Sequence, residues 1–300
     1  MSSYDVDVRI VSLLPSTTEI ICDLGLSEDL LGVTAECNWP EDVQEGREIV
    51  VRTFADPALT PGEIDALVRQ RIDAGLDLYT LDDEALRRCD PDLILSQDLC
   101  RVCAVASGDV AAATARLNCQ AEVLQIDPQT LSEVLESIEM IASAAGVGNR
   151  GSQFVTSLRR RLSDVERAVH DLPRRRVFIL EWIDPPFGAG HWVPDLVTAA
   201  GGEPVLARHG ERSVATTWEE IASMRPDVVV VAPCGFGLEQ AVEQARVILD
   251  LVPDTAEVWA IDADAVMVRP GPRLVDGVEA LASVLHGVGE LPPEVVARIR

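Results

Sequence analysis

Lysine is missing from all 300 residues, so each of the 25 basic side chains is arginine. Against them stand 50 acidic residues, for a formal net charge of −25. A chain so short of positive charge is a poor partner for nucleic acid or an anionic membrane face, both of which are held mainly through basic patches. The acidic excess reads as a solvated shell that keeps the chain soluble, and it suits a salt-rich, halophilic setting. Long apolar runs are also lacking, and no segment reaches the ~20 apolar residues of a membrane-spanning helix. The opening, MSSYDVDVRI, has no basic stretch followed by an apolar core, and no nearby cysteine for a lipid anchor; as written, the sequence reads as cytoplasmic. A P-loop and a serine elbow are absent too. One G-x-G-x-x-G match exists, at residues 146–151, but it lies between two helical patterns. A dinucleotide fingerprint must follow a strand and open a helix, so this one is a helix break.

What is present is a regular alternation. Short apolar runs such as VRIVSLLP, LLGVTAE, DLILS, AEVLQI, RVFILEW, DVVVVA and EVWAI are separated by helical patterns. That alternation predicts an α/β fold with parallel sheets. AVMVR reads as a further strand, and the tail LPPEVVARIR as a short docking helix. Ser16–Glu19, Thr60–Glu63 and Thr130–Glu133 have the spacing of capping boxes, in which a hydroxyl and a carboxylate satisfy each other's backbone donors. Phe154, Leu158, Leu162, Val165 and Val169 recur at three and four residues, the mark of one long amphipathic helix. The expected organisation is a lobe over residues 1–128, a helical connector over 129–173 and a second lobe over 174–300.

Chemistry-bearing residues cluster where strands are predicted to end. Seven cysteines, an odd number, point to reduced thiols or metal ligands, not a disulfide framework. Cys37, Cys100, Cys103 and Cys234 each follow an apolar run. Four convergent thiolates suit zinc or an iron–sulfur cluster, possibly in an enzyme. The plainer reading is small, half-buried apolar groups. A thiol nucleophile, Cys37 or Cys100 with His191, is a third reading. Several of the few large rings, Trp39, Trp182, Phe187, Trp192 and Phe236, fall in the same predicted loops. Open parallel sheets bind ligands outside the carboxyl ends of their strands.

The segment RIVSLLPSTTEIICDLGLSEDLLGVT resembles the opening of the helical-backbone metal-receptor family, class III periplasmic-binding-protein-like substrate-binding proteins of ABC transporters. DDEALRRCDPDLILSQ and AAGGEPVLARHGERSVATTWEEIASMRPDVVVVAP are similar to that family's first- and second-lobe segments. CNWPEDV, QDLCRVCAV, DPPFGAGHWVP and APCGFGLEQA are similar to the loops of a cytoplasmic, cobalamin-binding subgroup. The resemblance implies two Rossmann-like lobes joined by a long helix, with a ligand cleft between them. It implies a non-catalytic binder of cobalamin, haem or an iron siderophore, with a corrinoid favoured because an acidic chain suits anionic chelates poorly. The implied partner is an ABC transporter or a corrinoid-using enzyme, with no membrane insertion.

On this resemblance the rings of Trp39, Trp182, Phe187, Trp192 and Phe236 would cover the macrocycle's faces. Ser16, Asn38, Gln97 and Asp98 would tether its amide rim. Arg269 and Arg273 would grip a phosphate or propionate, unless they pair with acidic neighbours. His191 would coordinate the central metal, cap the next helix or hydrogen-bond a rim amide.

Overall fold

The computed structural model describes residues 8–54, 59–97, 107–117 and 119–300. Two compact units emerge, Met1–Asp127 with Leu135–Val155, and Pro128–Val134 with Thr156–Arg300. The expected connector of residues 129–173 is thus shared between the two units, with the divisions falling inside two helices.

Unit 1 is built on β1 (Ile10–Ser12), β2 (Leu30–Thr34), β3 (Glu48–Thr53), β4 (Tyr79–Leu81), β5 (Leu93–Ser96) and β6 (Glu122–Gln125), in the order β4-β3-β2-β1-β5-β6. All neighbours are parallel except the edge pair β3 and β4. Its helices are α1 (Pro15–Asp23), α2 (Pro61–Asp73), α3 (Asp83–Cys89), α4 (Ser107–Leu117) and most of α5 (Leu131–Ala144). The longest helix, α6 (Gly148–Val169), begins here and continues into unit 2. One face of the sheet buries Val11, Leu13, Val50, Ile94 and Leu86 together.

Unit 2 is built on β7 (Arg176–Ile183), β8 (Pro186–Gly188), β9 (Glu203–Pro204), β10 (Val228–Val231), β11 (Glu257–Ile261) and β12 (Val296–Arg298). The order is β12-β11-β10-β7-β8, with β9 parallel to β7. Parallel β7, β10 and β11 form the centre. Antiparallel β8 and β12 close the edges. Helices α7 (Val193–Ala199), α8 (Trp218–Ser223), α9 (Leu238–Val247), α10 (Ala263–Val266) and α11 (Leu274–His286) cover it. Phe178, Leu180, Val229, Val231, Val258 and Ala260 form a fully buried core in this unit. Valine-rich runs such as VVVV in β10 are apolar on both faces because both faces are covered.

Local chemistry explains the boundaries. Thr60 accepts from the Glu63 N–H while the Glu63 carboxylate reaches back to Thr60, so the predicted capping box starts α2. Thr130 and Glu133 do the same for α5. The Ser16 box does not form: α1 begins two residues earlier than that box requires, at Pro15, with Leu14 as the N-cap and no side-chain bond. Proline at the first helical position presets φ, and that places Ser16 inside the helix, 5% exposed. Gly146 (φ +74) breaks the chain between α5 and α6. A Cβ on Gly151 would stand 2.3 Å from the Ala142 Cβ, so the glycine pattern serves close packing of these two helices.

Two element predictions are corrected. AVMVR is not a strand: the Asp262 side chain accepts from the Ala265 N–H at 2.8 Å and starts α10 there. A buried apolar run of four or five residues carries no period that separates strand from helix. The tail is not a helix: the N–H groups of Val295 and Val296 turn onto the Pro292 carbonyl, and β12 then pairs with β11. β3 went unpredicted because Glu48 and Arg52 flank its three apolar residues.

Candidate functional site

In each unit the parallel strands present their carboxyl ends along one edge, and most of the sequence-selected residues lie there. On unit 1 the edge is small and polar. Ser12 Oγ lies 2.6 Å from Thr17 Oγ1, and Thr18 Oγ1 donates to Ser12 Oγ at 2.8 Å. Cys37 Sγ sits 3.1 Å from Thr18 Oγ1 and 3.2 Å from Thr34 Oγ1, with the residue only 1% exposed. The thiol is therefore a member of a buried hydroxyl network. Gln44 donates to the carbonyls of Ala35 and Cys37, and Arg47 to those of Ser27, Leu30 and Val43. These two side chains shape the loop that carries exposed Asn38 and Trp39; Trp39 is 45% exposed and its bond to Pro40 is cis. Gln97, at the end of β5, is buried. A shallow pocket on this edge is lined by Leu13, Pro15, Thr34, Glu36, Val51, Thr53 and Tyr79.

On unit 2 the edge is aromatic and carries a half-buried acid. Trp182, near the end of β7, and Phe236, beyond β10, bring their rings to 5.8 Å at a 46° tilt. Parallel pairing of β7 with β10 puts the two strand ends side by side. Phe187 of β8 is paired in register with Trp182 and is half-buried. Asp184–Pro185 is cis, and the Trp182 indole N–H donates to the Asp184 carbonyl at 3.1 Å.

His191 adopts φ +49, a left-handed conformation that costs a non-glycine residue ~1–2 kcal/mol. It is held by its N–H donating to the Glu211 carbonyl at 2.6 Å and by its carbonyl accepting from Gly210 at 3.0 Å. Its Nε2 is buried without a hydrogen-bond partner. Burial, and secondarily Arg212, lowers the imidazole pKa, so the ring is neutral at pH 7. A strained residue with an unsatisfied buried nitrogen, in a loop at a strand end, has the character of a ligand-facing group.

Trp192 is different. It is 5% exposed, and its indole N–H donates to the Met267 carbonyl at 2.9 Å. The ring ties α7 to the end of α10 and belongs to the core, not to an open edge. Arg269 is corrected in the same sense: its guanidinium, 12% exposed, pairs with Asp264 at 3.0 Å. That carboxylate also accepts from the Gly235 N–H at 3.1 Å, and burial raises its pKa. Arg273 stands at the N-terminus of α11. His209 places Nδ1 2.5 Å from Asp195, whose other oxygen accepts from the Leu131 N–H at 2.9 Å.

Glu181 was not singled out from the sequence. Its carboxyl group is enclosed, and desolvation pushes its pKa up to about 7, against the Ser213 hydroxyl and the Gly190 N–H, which favour the charged form. The only sequence signal is an acidic residue inside the apolar run RVFILEW.

Asp98, Cys100 and Cys103 lie outside the described residues. Cys37 and exposed Cys234 belong to different units. Among the described residues no three His, Cys, Asp or Glu side chains are grouped to hold a metal ion.

A family model described as "Periplasmic binding protein" matches residues 10–258. An uncharacterised ABC transporter substrate-binding lipoprotein, YvrC of Bacillus subtilis, is 27% identical over 95% of this chain and 83% of its own length. The vitamin B12-binding protein of Vibrio cholerae is 23% identical over 92% of this chain and 88% of its own. A periplasmic haem-binding protein from Pseudomonas aeruginosa superimposes with a TM-score of 0.70 at 19% identity, over 97% of each chain. The names of these relatives describe binding proteins, and the enzyme alternative has no support in them. Nor does a cytoplasmic location, since one relative is a lipoprotein. Among the described residues no helix is long and apolar enough to cross a membrane.

Proposed function

The chain belongs to the periplasmic binding protein family, and on that premise we propose that it is a non-catalytic substrate-binding protein whose ligand is a corrinoid, cobalamin first, handed to an ABC-type transporter. The observation that carries this reading is the Trp182–Phe236 ring pair at adjoining strand ends of unit 2. Aromatic groups at strand ends suit a ligand with broad apolar faces.

The polar groups point to the class of macrocycle. Corrins carry a rim of neutral amides, which both donate and accept. Neutral His191, with Nε2 unsatisfied, accepts from such an amide. The carboxylates of haem or of an anionic iron chelate call instead for a free cation, and Arg269 is already neutralised by Asp264. A cysteine-held zinc or iron–sulfur centre is not proposed, because Cys37 is enclosed by threonine hydroxyls.

Calorimetric titration with cyanocobalamin, haem and a ferric siderophore tests the reading. Cyanocobalamin is expected to bind best, and Trp182→Ala with Phe236→Ala to weaken it about tenfold or more, some 1.4 kcal/mol or above, with the melting temperature nearly unchanged. Tighter binding of haem, or cobalamin affinity indifferent to the double variant, would refute it.

A further inference from the structure

We propose that Glu181 is a positioning residue for the ligand-facing loop of unit 2: its carboxyl group pins residues 188–191 to residues 211–214, and ionisation of that group releases the pin. The contacts are specific. One carboxyl oxygen accepts from the Gly190 N–H at 3.2 Å, and the other is in a short hydrogen bond with the Ser213 hydroxyl. The Glu181 carbonyl also accepts from the Cys234 N–H at 3.1 Å, at the end of β10. One residue thus touches three segments of the edge.

The two pinned segments cross with no room to spare. A Cβ on Gly190 would stand 2.3 Å from the Ser213 nitrogen and 2.8 Å from the Arg212 carbonyl carbon. On one side of the crossing is His191, left-handed and bonded to Glu211; beside Glu181 in sequence is Trp182 of the ring pair. Any shift of the crossing moves the groups that face the ligand.

The two charge states of Glu181 differ in what they ask of their surroundings. As a neutral acid, one oxygen accepts from Gly190 and the hydroxyl donates to Ser213, and both partners are satisfied. As a carboxylate it accepts from both but carries a full negative charge in an enclosed place. Ionisable groups on the segments packed around it are Asp184, His191, Arg208, Glu211, Arg212 and Cys234. Arg208 pairs with Glu211 at 3.4 Å, Arg212 acts on His191, and Glu181 has no ion-pair partner among the described residues. A half-buried charge without a partner is disfavoured and relaxes toward water. Desolvation is the largest influence on this group and holds its pKa near neutrality, at about 7, so the change of state falls within an accessible range.

The pin is a property of the ligand-free chain; its effect on affinity rests on the corrinoid reading above. The test is amide hydrogen exchange across residues 186–192 and 211–216 of the ligand-free protein at about pH 6 and about pH 8.5, corrected for intrinsic rates. Native protein is expected to lose about tenfold or more of its protection at the higher pH. Glu181→Gln, whose amide donates to Ser213 and accepts from Gly190 as the acid does, is expected to keep it at both. Glu181→Ala is expected to lose it at both, and if that variant fails to fold the native and glutamine proteins decide. Equal protection of the native protein at both values, or the same pH loss in the glutamine variant, overturns the proposal. Cyanocobalamin affinity is then expected to fall over the same range in native protein and to be flat in Glu181→Gln. Binding that is flat in the native protein overturns the pin. No cyanocobalamin binding at any pH, with the exchange pattern intact, removes the corrinoid reading and leaves the pin supported.

Discussion

The carboxyl edges of the two units share a parallel-strand plan and differ in chemistry. On unit 1, Ser12, Thr17, Thr18, Thr34 and Cys37 hydrogen-bond among themselves and bury the result. On unit 2, Trp182 and Phe236 meet at the strand ends, His191 keeps a nitrogen unsatisfied, and Glu181 carries a half-buried acid with no counter-charge among the described residues. The difference teaches that position at a strand end does not by itself make a residue functional. Where polar groups satisfy one another, as around Cys37, they close the edge. Where strain, an orphaned atom or a displaced pKa persists, as at His191 and Glu181, the edge is left prepared for a ligand.

The sharpest way to break that contrast is at Trp192. Truncation to alanine removes a buried indole and the bond to Met267, with an expected loss of about 3–5 kcal/mol in denaturant unfolding. A loss below about 1 kcal/mol would put this ring with the ligand-facing set instead. Gly190→Ala comes next. Its Cβ meets backbone that has no space to yield, and the expected cost is about 2–3 kcal/mol, with altered near-ultraviolet circular dichroism from the neighbouring tryptophans.

On unit 1, Cys37→Ala is expected to cost about 1–2 kcal/mol and to leave metal content by mass spectrometry unchanged. Metal that disappears with the thiol would restore the sulfur-ligand reading. Thr60→Ala is expected to cost about 1 kcal/mol through the lost cap of α2.

The pH dependence of stability has a definite sign. Glu181 in the folded chain holds its proton up to about pH 7, whereas in the unfolded chain it releases it near the ordinary carboxylate value. The folded state therefore binds more protons between those limits, and this group's contribution to stability falls as pH rises through them. His191, whose pKa is lowered, acts oppositely: its contribution falls as pH drops below the ordinary imidazole value. Glu181→Gln should accordingly be more stable than native protein above about pH 7 and nearly equal to it near about pH 4, by chemical denaturation across that range.

Periodicity settles what is local. The capping boxes at Thr60 and Thr130, the apolar stripe of α6 and the both-faces-buried run of β10 are each readable because the physical cause lies within a few residues. The α/β class follows from their alternation. Sequence reading fails where a run is too short to carry a period, as in AVMVR, which Asp262 caps into α10, and where the partner is remote, as for β12, which pairs with a strand about 37 residues earlier. Site residues divided in the same way. Trp182 and Phe236 were identifiable as rings beyond apolar runs, but whether a ring faces solvent or fills a core, as Trp192 does, depends on a carbonyl at Met267 that is 75 positions away.

The order of the chain alone decided the fold class and the helix starts at Thr60 and Thr130, since these depend on backbone geometry and on neighbours a turn or two away. Tertiary structure alone decided what each strand-end residue does. Burial and pairing are set by groups distant in sequence: Asp264 for Arg269, Thr18 for Cys37, Ser213 for Glu181. A side chain's charge, exposure and spare hydrogen-bonding capacity are properties of that environment.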